Sequence, residues 1–228
     1  MARSPTVLPR QHDQERAPQE RLALERLVFF SDAVFAIAIT ILVLDIRLPP
    51  GASSAGSRDL LLALTGLWQE YLAFFISFWV IGLSWISHHR KFLYIQRLDS
   101  QLLTLNLLML MMIAFVPFPT AVMSESVSFT ATAFYSLTMI LTSLSGLILW
   151  RHASHDHRLV GPDLDERQIR REASVPLATI AVFMLSIGIA LLAPGLARIC
   201  WLLVLPLALF LRRWAAKPLD EGEPTSPR

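Results

Sequence analysis

The sequence predicts an all-α membrane protein: six transmembrane helices with both termini in the cytoplasm. Three observations predict it. Of 228 residues, 54% are hydrophobic and only 17% charged, where a soluble domain carries about 25% charge. The apolar residues fall in six blocks, about 27–47, 70–92, 102–123, 128–150, 173–193 and 196–214, each close to the roughly 20 residues that cross a hydrocarbon core. The basic residues are also unevenly placed. Seventeen of the 20 Lys and Arg lie in the N-terminal segment, the second and fourth connections and the C-terminal segment. Only Arg47, Arg58 and Arg198 fall on the other side, so the positive-inside rule places both ends in the cytoplasm, which an even number of spans requires. Backbone groups in lipid must be satisfied internally, which favours helices. The blocks lack the period-two alternation of a membrane β-barrel.

The elements follow in order. Residues 1–20, rich in Pro, Gln and charge, read as a disordered cytoplasmic N-terminus. Residues 21–216 form the membrane domain. ERLALER at 20–26 reads as helix leading into the first span. LPPGASSAGS at 48–57 is an outer loop, and 58–68 a short surface helix entered by Asp59. The second span starts near Glu70 and extends to about Arg97. Pro117 and Pro119 kink or end the third span, and SES at 124–126 turns the chain into the fourth. The longest inner loop, 151–172, carries three histidines, His152, His155 and His157, which read as a solvated cluster. Residues 217–228 read as a disordered tail. No cleavable signal peptide is expected, because the first 25 residues are polar and the first apolar run is long enough to span. Cys200, the one cysteine, excludes an internal disulfide and a Cys-based metal site. The basic residues are scattered over four segments, so a nucleic-acid partner is a poor explanation of the net charge of +2.

The first span, RLVFFSDAVFAIAITILVLDI at 26–46, is the most informative segment. At about 100° per residue, Phe30, Val34, Ile37, Ile41 and Leu44 fall within roughly 60° of one line, with Thr40 on its flank. Ala33, Ala36 and Ala38 offer small surfaces to neighbouring helices. Asp32 falls about 140° from the stripe and is expected to point into the bundle. An aliphatic stripe beside an ionisable group suggests a pore wall. Packing in a core or contact with lipid produces the same stripe, and periodicity does not separate the readings.

A polar layer is expected at the cytoplasmic end of this helix. The second span runs antiparallel and ends WISHHRKF at 85–92. That places Trp85, His88 and His89 at the depth of Ser31 and Asp32, with Asn106 of the third span alongside. Indole and imidazole N–H groups donate and a carboxylate accepts, so Asp32 is expected to bind two or three helices together. Adjacent histidines on a helix point about 100° apart, and no carboxylate or thiolate accompanies them at ligand spacing, so no metal site is assigned. Arg26 returns near the stripe line, where it either stands at the cytoplasmic mouth or pairs with an acidic residue on another helix. Asp45, at the outer end, either concentrates cations at an outer mouth or simply pairs with Arg47 or Arg58.

The combination of Arg26, Phe30, Ser31 and Asp32 as R-x-x-x-F-S-D, followed by AVFAIAITILVLDI, resembles the transmembrane protein 175 family, the lysosomal potassium channels and their bacterial relatives. WISHHRKF is similar to the family's W-x-x-H-H-x-x-F signature. The resemblance covers about 20–215. This chain carries one six-helix repeat and so resembles the bacterial form, which assembles as a homotetramer. The resemblance implies a central pore lined by the first helix, with its constriction at Ile37, Ile41 and Leu44 and the Thr40 hydroxyl between them. A Leu is common where Ile41 stands. The implied function is passive, potassium-selective conduction through the plasma membrane of a bacterium, with potassium and other monovalent cations as cargo, the lipid bilayer and further copies of the chain as partners, and no cofactor. No TVGYG-like segment is present. The competing classes are a proton leak or proton-coupled transporter using Asp32 and the His88/His89 layer, and a membrane enzyme, for which the histidine pattern is poor.

Overall fold

A computed structural model of the chain describes residues 11–52 and 56–215, with side chains from Pro18 onward. The expectations for residues 1–10 and 217–228 lie outside the described residues. The described chain is helical: α1 (Gln11–Ile41), α2 (Ser57–Gly66), α3 (Trp68–Tyr94), α4 (Ser100–Phe115), α5 (Pro117–Glu125), α6 (Phe129–Ser154), α7 (Glu166–Ala190), α8 (Pro194–Ile199) and α9 (Val204–Ala215). These make six segments long and apolar enough to cross a membrane, beginning at Pro18, Trp68, Ser100, Phe129, Glu166 and Pro194. The helix α1 begins at Gln11, ahead of Arg21 where the sequence places the start of the ordered domain.

Two spans are broken for covalent reasons. Pro117 and Pro119 have no amide N–H, so the third span divides into α4 and α5 at Val116. In the sixth span Pro206 cannot donate to the carbonyl of Leu202, and the chain tightens into a 3₁₀ turn over Cys200–Leu203 between α8 and α9. The fifth span starts earlier than its apolar block, at Glu166. Asp165 caps it in a reciprocal box with Gln168, which satisfies two amides that the helix itself leaves open.

The central helix is α6, which packs on α4 and α7. Its buried side mixes the large side chains Tyr135, Met139 and Trp150 with small residues, Ala131, Thr132, Ser136, Ser143 and Gly146, and the small ones let neighbouring backbones approach closely. Several of its hydroxyls turn onto their own helix: Thr138 donates to the carbonyl of Phe134 at 3.0 Å and Thr142 to that of Thr138 at 2.8 Å. Those two need no water in an apolar medium, whereas Thr132 Oγ1 and Ser136 Oγ are buried without a partner among the described residues. After α6 the chain turns through Asp156 and His157, both with positive φ, and pairs Val160 with Ile95. Gly161 lets the Gln96 side chain lie close against the turn, since a Cβ would meet its amide nitrogen at 2.6 Å.

Two apolar clusters form the core. One gathers Phe35, Leu42, Ile76, Ile113, Tyr135, Phe183 and Trp201. The other gathers Leu27, Phe92, Leu102, Leu149, Trp150 and Leu159, near the end of the bundle that carries Arg26, Arg90, Arg97 and Arg151, here termed the basic end. The outside of every span is studded with large exposed apolar side chains, Phe75, Trp79, Leu107, Leu185 and Phe210 among them, as a lipid-facing surface requires.

Candidate functional site

Three helices repeat one pattern of apolar, polar, apolar at helical spacing. On α1 it is Leu27, Ser31, Phe35. On α4 it is Leu102, Asn106, Met109. On α3 it is Ile81, His88, Phe92. The polar members fall between the two apolar clusters, and Ser31, His88 and Asn106 are all buried.

Their hydrogen bonds form a directed chain. Ser31 donates its single proton to the carbonyl of Leu27 at 2.8 Å. Its oxygen therefore accepts from Nδ2 of Asn106 at 3.0 Å. The Asn106 carbonyl oxygen then faces Nε2 of His88 at 2.9 Å, so Nε2 carries the proton and donates. In the neutral ring Nδ1 keeps a lone pair, and that atom is buried with no partner. The ring stacks on Phe92 at 4.3 Å and tilts against Phe35 at 5.5 Å.

Asp32 stands beside this chain, half-buried, and accepts from the Trp85 indole at 2.8 Å. The imidazole donor expected on this carboxylate is not there: His88 turns to Asn106 instead. His89 stacks against Trp85 at 5.8 Å. Arg26 is exposed and makes no ion pair among the described residues.

The aliphatic stripe takes the other side of α1. The buried line of this helix is Leu27, Ser31, Phe35, Ala38 and Leu42, set by the same wheel about 120° away from Ile37. That line packs on α3 and α4. Phe30, Ile37, Ile41 and Leu44 are left 52%, 58%, 42% and 63% exposed. The first span is thus at once highly apolar and poorly covered by its own chain. The Thr40 hydroxyl donates to the carbonyl of Ile37 at 2.9 Å, which leaves its oxygen lone pairs outward on an exposed residue. At the far end of the helix Asp45 is half-buried. Arg47 does not pair with it but turns to the carbonyl of Leu44 at 3.3 Å.

Several polar contacts escaped the sequence. His152, read there as part of a solvated cluster, is on α6 with only 10% of its side chain exposed, and meets the Asp99 carboxylate at 2.9 Å. Arg158 reaches the same carboxylate at 3.5 Å. Asp99 also caps α4 by accepting from the amide of Leu102 at 2.7 Å. Burial alone would raise the Asp99 carboxyl, but the Leu102 amide, His152 and Arg158 together outweigh it and hold it below its ordinary value. The helix-start pattern of Asp99 before Ser100 was available in the sequence, whereas the pairing with His152 joins residues two spans apart. Ser77 bridges Thr120 at 2.8 Å and the Tyr135 hydroxyl at 2.9 Å. Glu172 pairs with Arg212 at 3.3 Å, and Lys91 donates to the carbonyl of Gly146 at 3.2 Å.

Residues 26–117 match the family model described as endosomal/lysosomal potassium channel TMEM175. A potassium channel of Streptomyces collinus is 43% identical over 145 residues, covering 61% of this chain and 69% of its own length. An endosomal/lysosomal proton channel of the same name from Gallus gallus is 31% identical over 184 residues, covering 73% of this chain and 37% of its own. The fold is similar to the crystal structure of a lysosomal potassium-selective channel homologue from Chamaesiphon minutus. That match has a TM-score of 0.71 at 30% identity and covers 83% of this chain and 98% of the other.

Proposed function

The chain belongs to the TMEM175 family of potassium channels, and from that premise we propose how it conducts: four copies surround one axis, and the exposed stripe of α1 from each walls the pore. It is a multi-pass protein of the bacterial plasma membrane, with the basic end facing the cytoplasm. The observation that carries the reading is the stripe itself. Phe30, Ile37, Ile41 and Leu44 are left uncovered by the protomer along a helix whose opposite face is fixed to α3 and α4. One copy of such a helix cannot enclose a passage, and closed rotational symmetry supplies the others.

In this arrangement Ile37 forms the neck, with Ile41 and Leu44 further outward. A ring of branched aliphatic side chains gates by dewetting when narrow and passes a partly hydrated ion when wide. Sodium holds its water more tightly than potassium and pays more to pass. The outward lone pairs of Thr40 replace part of the lost hydration. Few ligands substitute for water here, so the discrimination is moderate. Asp45 raises the cation concentration at the outer mouth, and no cofactor takes part.

A proton-conducting alternative draws on the naming of the animal relatives. It is poorly served by the polar layer, because His88 is engaged with Asn106 and buried away from the stripe. The deciding experiment is flux into liposomes that contain the purified protein. Potassium-driven uptake well above that of sodium supports the reading, and proton flux without potassium flux replaces it by the alternative.

A further inference from the structure

The membrane-spanning surface carries a second constructed feature, away from α1. Between α6 and α7 runs a groove of about 400 Å³ whose wall is mainly apolar and includes Leu144, Ile148 and Leu177, all three exposed. At its basic end the lining changes abruptly to Arg151 and Arg170, both exposed. Arg151 and Ile148 also line an adjoining cleft of about 280 Å³ with His152, His155 and Arg158.

The charges there are not equivalent. His152 and Arg158 share the Asp99 carboxylate, and His155 meets Asp156 at 2.9 Å. Arg151 and Arg170 have no carboxylate within 4.0 Å among the described residues, although Glu166 lies one turn before Arg170 on α7. Two uncompensated guanidiniums at the rim of a greasy slot match one kind of molecule, an apolar chain ending in an anion. Guanidinium forks suit phosphate oxygens, and basic pockets between spans on the cytoplasmic side are favourable sites for anionic headgroups.

We propose that the groove between α6 and α7 seats an anionic phospholipid of the cytoplasmic leaflet, with its acyl chain along Leu144, Ile148 and Leu177 and its headgroup phosphate between Arg151 and Arg170. The site rests on the placement of the chain in the membrane and is independent of the pore. The lipid bridges the two helices that flank the longest inner loop and so stabilises the folded protein.

The test is thermal unfolding of the purified full-length protein in neutral detergent, titrated with phosphatidylglycerol, phosphatidylcholine or inorganic phosphate. Phosphatidylglycerol raises the unfolding temperature, phosphatidylcholine does so less, and phosphate has no effect. The double variant Arg151→Gln, Arg170→Gln needs roughly 30-fold more phosphatidylglycerol for the same rise. Leu177→Trp fills the groove, leaves both arginines in place and also weakens the response. Equal stabilisation by the two lipids overturns the proposal, as does a full response to phosphate alone, which would mark a simple anion site. A wild-type response in the double arginine variant or in Leu177→Trp overturns it as well. The comparison of the three additives uses the wild-type protein, so it stands even where a variant folds poorly. Potassium flux is a separate measurement, and its absence would leave this result intact.

Discussion

The indole Nε1 of Trp85 donates to Oδ1 of Asp32 across 2.8 Å, tying α1 to α3. The bond is charge-assisted, and it lies beside the buried chain through Ser31, Asn106 and His88, which ties α1 and α3 to α4. The two features fix the rotation of α1 about its own axis. A helix held on one face by directional bonds presents its other face at a defined angle. The polar layer therefore aims Ile37 without touching it.

Asp32→Asn tests that division of labour. The amide can still accept from the Trp85 indole, but the bond loses its charge, so the loss is about 1 kcal/mol. The expected result is a lower unfolding temperature and a smaller tetramer fraction by size-exclusion chromatography, with residual tetramers that still conduct. A fully assembled tetramer with no conduction would move Asp32 from holding the helix to passing the ion.

Asn106→Leu is more damaging. It leaves the Nε2–H of His88 without an acceptor and the Ser31 oxygen without its donor, both in a buried layer. Each orphaned group costs about 1–3 kcal/mol. Denaturant titration in micelles is expected to show a loss at the scale of both together. A change below about 1 kcal/mol would mean that the layer relaxes around the leucine.

The acid limb of stability is set in part by Asp99. Its carboxyl is held below the ordinary value in the folded protein, so the folded state binds this proton less readily than the unfolded chain. The contribution is complete above the unfolded pKa of about 3.9 and is lost as pH falls through the lower folded value. Unfolding temperatures of wild type and Asp99→Asn, compared from pH 7 down to pH 3, are expected to differ at neutral pH and to converge below about pH 4. A gap that stays constant through that range would show that the carboxylate charge of Asp99 is not its source.

Much of this was legible in the sequence because membranes impose strong one-dimensional rules. Six apolar blocks became six spans, and the stripe at helical period became an uncovered face of α1, except for Val34, which packs against the core. What the sequence hid was pairing. Asp32 was read as accepting from an imidazole, but the choice between Asn106 and Asp32 for His88 depends on how far α3 is rotated against α4, which no spacing records. His152 looked like one of three loop histidines until the end of α6 placed it against Asp99. The last span read as one helix because Pro206 sits inside an unbroken apolar run, and the tightened turn before it leaves no hydropathy signal.

The sharpest prediction concerns Ile37. Its side chain is among the most exposed on α1 although it is branched, apolar and at mid-span, and it adds little to the packing of its own protomer. Ile37→Ala should therefore change stability only within the range of surface substitutions, about 0.5 kcal/mol, while in the proposed tetramer the substitution in every copy widens the neck. Potassium and sodium flux into liposomes should both rise, and sodium should gain more, because a wider neck strips less water from either ion. Ile37→Asn should act in the same direction by wetting the ring. Wild-type flux and selectivity in both variants would place the constriction elsewhere on the helix. A large loss of stability would instead mean that Ile37 packs against a neighbouring subunit and that the stripe is an interface and not a wall.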